Sequence, residues 1–212
     1  MSDHFSHMNL LRPQPILDER DVVPVKRITD RAWAVDALVA GEYLLVDDFY
    51  STGLDILAAL KNRLTKGGKD LSFQGERVIR SQYQEVSQRL LVFIKNRKLA
   101  LRKAPSIGWI DRLYPDFADF LLPFPKVQGL NSSWQWYCNG IQLPILQDLI
   151  HPYFGTYFPT RFEHLELFAD WLKRYHGRRT TAVDVGTGCG VLALHLLRQG
   201  FETVYATDIN PN

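Results

Sequence analysis

One stretch constrains this chain more than any other. Ala182-Val183-Asp184-Val185 is a short apolar run that leads straight into Gly186-Thr187-Gly188-Cys189-Gly190. Val191, Leu192, Leu194, His195 and Leu197 then fall at helical spacing up to Gly200, and Thr203-Val204-Tyr205-Ala206-Thr207 forms a second apolar run ending in Asp208. The pattern predicts a strand, a tight glycine turn, a helix and a second strand, the first half of a nucleotide-binding α/β unit. Glycines let the backbone turn sharply and let a ligand lie where a Cβ would collide. The helix N-terminus offers unpaired N–H groups and a partial positive charge to an anion. A carboxylate at the end of the second strand can accept two ribose hydroxyls together, and Asp208 lies near the spacing such units use.

The glycine spacing separates two kinds of ligand. The dinucleotide fingerprint G-x-G-x-x-G needs its third glycine one residue later than Gly190. An NAD(P)-binding oxidoreductase is therefore the alternative this spacing disfavours. Asp184-Val185-Gly186-Thr187-Gly188-Cys189-Gly190 resembles motif I of class I S-adenosylmethionine-dependent methyltransferases. Ala206-Thr207-Asp208-Ile209-Asn210-Pro211-Asn212 resembles their second acidic motif. The two together look most like the HemK-type branch, which methylates glutamine in release factors, and its relatives acting on ribosomal RNA. Tyr157-Phe158-Pro159-Thr160-Arg161-Phe162-Glu163 is similar to the Pro-Arg-x-Glu segment of that branch, departing from it in Thr160 and His164.

The resemblance covers residues 153–212. It implies a Rossmann-like α/β methyltransferase fold with S-adenosylmethionine as cofactor. Gly186, Gly188 and Gly190 would cradle its methionine end, with Thr187 in the same loop. Asp184 would bear on its amino group, Asp208 would hold the ribose hydroxyls, and Ile209 would pack on the adenine. The implied acceptor is a nitrogen of a protein glutamine or an RNA base, with a small molecule also open. The family's catalytic Asn-Pro-Pro-Tyr lies after a fourth strand, which the sequence through Asn212 does not reach. The catalytic residues are thus unassigned and the catalytic domain is expected to be incomplete. Were Asn212 the true end, a non-catalytic cofactor-binding module would be the favoured reading.

Upstream, the spacing predicts a mixed α+β accessory domain over residues 1–150, which would select the substrate, and the start of the catalytic domain over 151–212. Residues 1–29, with Pro13, Pro15 and Pro24, read as an irregular lead-in. A short helix is expected from Asp30 to Gly41, a strand over Tyr43–Val46, and a helix capped by Ser51 or Thr52 and stopped by Gly67-Gly68. Residues 76–101 read as helix first, although Leu90–Ile94 could be a strand. Residues 104–133 read as a partly irregular connection. Asn139-Gly140, between two apolar runs, predicts a hairpin turn, and Phe162–Tyr175 an amphipathic helix closed by Gly177.

Composition excludes several classes. With 46% hydrophobic and 23% charged residues, the chain can bury a core. A net charge of +2 gives no global field for nucleic acid. Cys138 and Cys189 are too few for a disulfide framework. No apolar run reaches membrane length, and the polar start lacks a signal-peptide core, so the cytoplasm is the expected compartment. Cys189 reads as a space-filler, His195 as a satisfied or solvated helix residue, and the pairs His151/His164 and His164/His176 lack metal spacing, so no metal site is expected. Lys95, Arg97, Lys98, Arg102 and Lys103 form a basic cluster, either a solvated face or a contact for RNA or the ribosome. Trp134, Trp136 and Tyr137 read equally as a substrate cleft or as hairpin packing. Arg161 and Glu163 are open between a site role and a capping one.

Overall fold

A computed structural model describes residues 11–67 and 73–212. Strand β1 (Val23–Val25) forms within the stretch expected to be irregular. Pro24 has no N–H to give to a ladder. Here it sits on an edge strand that pairs only with β2 (Leu44–Val46), where no second donor is needed. Between them runs α1 (Arg31–Ala40), placed where the spacing predicts it. The Asp30 carboxylate accepts the Trp33 N–H at 2.8 Å, and Gly41 follows the helix at φ 103°.

Helix α2 (Tyr50–Gly67) begins before the expected cap. Asp48, rather than Ser51 or Thr52, holds its start, accepting the Phe49 N–H at 2.5 Å and the Thr52 hydroxyl at 2.7 Å. The Gly68 half of the expected stop lies outside the described residues. The region read as helix first divides into α3 (Phe73–Ser87), β3 (Leu90–Lys95) and β4 (Lys98–Leu99). The continuous run Leu90-Leu91-Val92 with Ile94 is fully buried, the signature of a strand covered on both faces. The expected connection over 104–133 is instead α4 (Trp109–Leu113), β5 (Phe120–Pro123) and α5 (Phe124–Asn139). Gly108 stands before α4 and Pro125 in the first turn of α5, where helices tolerate them, while Gly129 is carried inside α5.

The hairpin expected at Asn139-Gly140 is absent. Trp134–Asn139 is the last part of α5, and Gly140, at φ 72°, donates its N–H to Trp136 O at 3.0 Å. Asn-Gly signals a positive φ, which a helix C-terminus needs as much as a hairpin does. The two-residue hairpin turn is Asn96-Arg97, φ 49° and 61°, joining β3 to β4.

Three of the five strand ladders among the described residues are parallel, so the chain is mixed α/β with mostly parallel strands. Two compact units are present: Pro13–Asn131, and Ser132–Asn212 with Leu11 and Arg12. The boundary falls inside α5, so residues 132–150 group with the C-terminal segment. In the first unit β1, β2 and β3 lie side by side and parallel, and β3 also pairs antiparallel with β4 and β5. Its core gathers Leu38, Leu44, Leu60, Leu91, Trp109 and Phe124, all fully buried. The second unit holds α6 (Glu163–Lys173), β6 (Thr181–Val185), α7 (Val191–Arg198) and β7 (Thr203–Thr207). One core cluster there packs Leu143, Leu146, Ile150, Leu165 and Val191, and another packs Leu172, Leu196 and Phe201. Among the described residues no helix is long and apolar enough to cross a membrane.

Candidate functional site

Strands β6 and β7 pair in parallel from Thr181↔Thr203 to Val185↔Thr207. Parallel neighbours need a crossover connection, here α7, so both C-terminal ends emerge on one edge. Ligands of open α/β sheets bind beyond that edge, and the structure gathers the glycine loop and Asp208 there. Thr207 O accepts the N–H groups of Gly186 (2.8 Å) and Thr187 (2.9 Å), and one Asp208 carboxylate oxygen accepts the Gly188 N–H at 2.8 Å. The other Asp208 oxygen accepts the Asn210 N–H at 2.8 Å. These backbone donors, Asn210 foremost and then Gly188, hold the Asp208 carboxyl below its ordinary pKa of 3.8, so it is ionised at neutral pH. A carboxylate offers about four lone-pair sites, so acceptor capacity remains for a hydroxyl donor.

Gly186, Gly188 and Gly190 all adopt left-handed φ, at 73°, 53° and 79°. Their surroundings differ. A Cβ added at Gly186 or Gly190 would meet nothing within 4 Å, whereas one at Gly188 would sit 2.5 Å from Tyr157 O. Gly186 and Gly190 therefore leave open space beside the loop, while bare Gly188 lets residue 157 approach. Cys189 N–H donates to that same carbonyl at 3.0 Å.

Asp184 faces inward to the loop. One of its oxygens accepts the Thr187 hydroxyl at 2.7 Å and the Ala193 N–H at 3.1 Å, tying strand, loop and first helical turn together. Thr187 thus serves the loop's internal bonding through its side chain. Ile209, beside Asp208, is fully exposed, an apolar side chain at the site with no cover. Cys189 packs on the core around Val191, and burial pushes its thiol up in pKa, away from reactivity. His195 is only 3% exposed. Its Nδ1 lies 3.2 Å from Ile145 O, and since a carbonyl only accepts, Nδ1 carries the proton. Its Nε2 is buried with no partner. The residue is therefore half satisfied and not solvated.

Around the loop lie groups that sequence reading did not single out. Asn212 Nδ2 donates to Phe154 O (2.8 Å) and Leu11 O (2.9 Å), and its side-chain oxygen accepts the Leu11 N–H (3.1 Å). Most of these contacts run through main-chain carbonyls, which have no side-chain signature. The only hint was the motif around Tyr157. Arg161 and Glu163 are exposed, with Glu163 in the first turn of α6, where a carboxylate suits the helix dipole. Trp134 stacks on Tyr137 at 5.6 Å and Trp136 meets Phe158 at 5.7 Å, so helix and loop packing replaces the expected hairpin packing. Among the described residues no group of three or more His, Cys, Asp or Glu is placed to hold a metal ion.

No family model matches the chain, and no curated protein matches it.

Proposed function

We propose that the Ser132–Asn212 unit binds S-adenosylmethionine and that the chain is part of a class I methyltransferase with a Rossmann-like catalytic domain. The observation that carries this reading is the Asp208 carboxylate, hydrogen-bonded to Gly188 at the C-terminal edge of the parallel β6–β7 pair. That bond brings the two sequence motifs into one constellation. The residues fit the cofactor: there is open space beside Gly186 and Gly190, an ionised and exposed Asp208 keeps acceptor capacity, and a bare Ile209 side chain suits a flat apolar ring.

S-adenosylmethionine supplies a methyl group on a sulfonium, electrophilic enough to need no metal or covalent enzyme intermediate. The protein's task is then positioning. Asp208 accepts the ribose hydroxyls, and Asp184 keeps the loop in shape through Thr187 and Ala193. The acceptor we propose is a nitrogen of a protein glutamine or an RNA base. The dinucleotide alternative is disfavoured because its third glycine would stand at Val191, which is a buried core residue.

Calorimetric titration of S-adenosylmethionine, S-adenosylhomocysteine and NAD into the chain tests the proposal, alongside an Asp208→Ala variant. Binding of both adenosyl ligands, weakened at least tenfold by the substitution, with NAD silent, is the expected result. Binding of NAD in their place, or heat from none of the three, removes the reading.

A further inference from the structure

The basic cluster of the Pro13–Asn131 unit has three unusual physical features. First, Lys95 and Lys98 face each other directly across the β3–β4 hairpin. Like charges at such positions are destabilising. Neither Lys95, Lys98, Arg102 nor Lys103 forms an ion pair among the described residues. Second, the non-glycine residues with positive φ among the described residues are Asn96 (49°), Arg97 (61°) and Lys103 (54°). A long cationic side chain in that region costs about 1–2 kcal/mol that glycine would avoid, and two of the three positions carry a cation. The turn is held in place by Asp119, which accepts the Asn96 N–H at 2.8 Å, and by Ala118 O and Pro115 O, which accept from Arg97. At Asn96-Arg97 the left-handed φ is what a two-residue hairpin turn requires, so the strain without a local reason is at Lys103.

Third, the cations border concave surface. A groove of about 380 Å³ is lined by Arg97, Lys98, Lys103, Leu99 and Leu101, and by the almost fully buried Ile107 and Ile110. A second hollow, of about 550 Å³, shares Leu99 and Leu101 with it and adds Lys26, Asp47, Asp48, Phe49 and Arg102, two cations matched by two acids. There the Arg102 guanidinium lies 5.5 Å from the centre of the Phe49 ring, presenting a planar cation. Hydrogen bonds from neutral donors leave the Asp48 charge in place, so the second hollow is balanced and the positive excess lies at the first groove. Asp48 is committed to the N–H groups of Arg27 and Phe49 and to the Thr52 hydroxyl, and Asp47 to Lys26 at 3.4 Å. Asp111 remains at the groove.

From this we infer that the cationic groove along residues 95–111 docks single-stranded RNA. Its phosphates would bridge the opposed Lys95 and Lys98 and reach Lys103, with a base on the Arg102 plane. Alternating phosphates and flat, partly apolar bases are what cations set beside apolar side chains can hold together. RNA is the nucleic acid that ordinarily offers unpaired bases in loops and bulges, and arginine planes are one of the surfaces on which proteins stack them. The inference stands independently of what the glycine loop binds.

Fluorescence anisotropy of a labelled mixed-sequence 12-nucleotide RNA with the 212-residue chain tests it, repeated over a range of salt concentrations. The test variant is the triple Lys95→Gln, Lys98→Gln and Lys103→Asn, asparagine being at ease in the left-handed region. The control is the triple Lys61→Gln, Arg77→Gln and Arg80→Gln, which removes the same charge from exposed positions on α2 and α3. Both are checked for an unchanged melting curve, and the single Lys98→Gln replaces the triple if that variant melts early. Affinity is expected to fall at least tenfold in the triple test variant, and several-fold in the single one, and to hold within twofold in the control. The slope of log affinity against log salt should become shallower by about 2 in the triple, since each neutralised single-strand phosphate contributes about 0.7. Absence of binding at low salt, equal loss in the control, equal affinity for DNA of the same sequence, or displacement of the RNA by polyglutamate would each overturn the inference.

Discussion

Strand β3 in the first unit and strands β6 and β7 in the second are all apolar strands with parallel partners, yet their surroundings are opposite. Leu90, Leu91, Val92 and Ile94 of β3 are fully buried, between β2 and β5. Across β6 and β7, Val183 is 62% exposed, Val185 82% and Tyr205 61%. The alternate residues Ala182 and Val204 pack on the cluster around Leu172 and Leu196, so one face of the β6–β7 pair is covered and the other is bare. Parallel sheets are normally covered on both faces, and two strands with one bare face make a poor independent domain. The contrast separates two meanings of an apolar run. In β3 it is core already in use, and in β6 and β7 it is a surface shaped for cover that the described residues do not supply.

Truncation in the two sheets should therefore differ most. Leu91→Ala is expected to cost about 2–5 kcal/mol, the usual range for a buried leucine, read as a lower denaturation midpoint of the Pro13–Asn131 unit. A cost below about 1 kcal/mol would mean that β3 is not the centre of that core.

A smaller effect is expected from His195, on α7 beneath the covered face. Burial, with Arg198 adding repulsion, lowers its pKa below 6.5, so the folded state keeps the ring neutral at pH values where the unfolded chain binds a proton. The unfolded state then binds more protons, and stability must fall as pH drops through 6.5 towards the lower folded value. Melting temperature followed from pH 7.5 to 5 should show that decline, and His195→Phe should flatten it. An equal decline in the variant would assign the effect to another group.

The smallest change belongs to the bare face. Val185→Ala should shift stability by no more than about 0.5 kcal/mol, as substitutions at exposed positions usually do. Replacing Val183, Val185 and Tyr205 by threonine should leave the fold intact while reducing the binding of a hydrophobic dye. Unchanged dye binding would locate the exposed apolar surface elsewhere.

Legibility in the sequence followed the range of the interactions involved. The segment from Thr181 to Asp208 was readable almost to the residue, because each step is local: apolar run, three glycines with positive φ, helical spacing, apolar run, acid. Asp30 and Gly41 marked α1 for the same reason. Errors arose where one local signal serves two structures. Asn139-Gly140 announced a positive φ, and only the packing of α5 made it a helix end rather than a hairpin. The hairpin at Asn96-Arg97 carries no glycine and is held by Asp119, Ala118 and Pro115, some twenty residues away in the chain. The prolines and glycines of 104–133 suggested irregular chain, but Gly108 and Pro125 stand at helix starts and α5 accommodates Gly129.

The sequence by itself determined the order of elements from residue 181 onward, the candidate ligand groups Asp184, Gly186, Gly190 and Asp208, and the density of cations between Lys95 and Lys103. These rest on backbone preference and residue chemistry, which act within a few positions. Tertiary structure decided that Gly188 is bare to admit Tyr157, that Asp184 spends an oxygen on the loop, and that Lys95 stands opposite Lys98. It also decided that one apolar face is core while another is left open. Each of these depends on which distant segment arrives alongside, and that is fixed by the packing of the whole chain rather than by any residue's own preference.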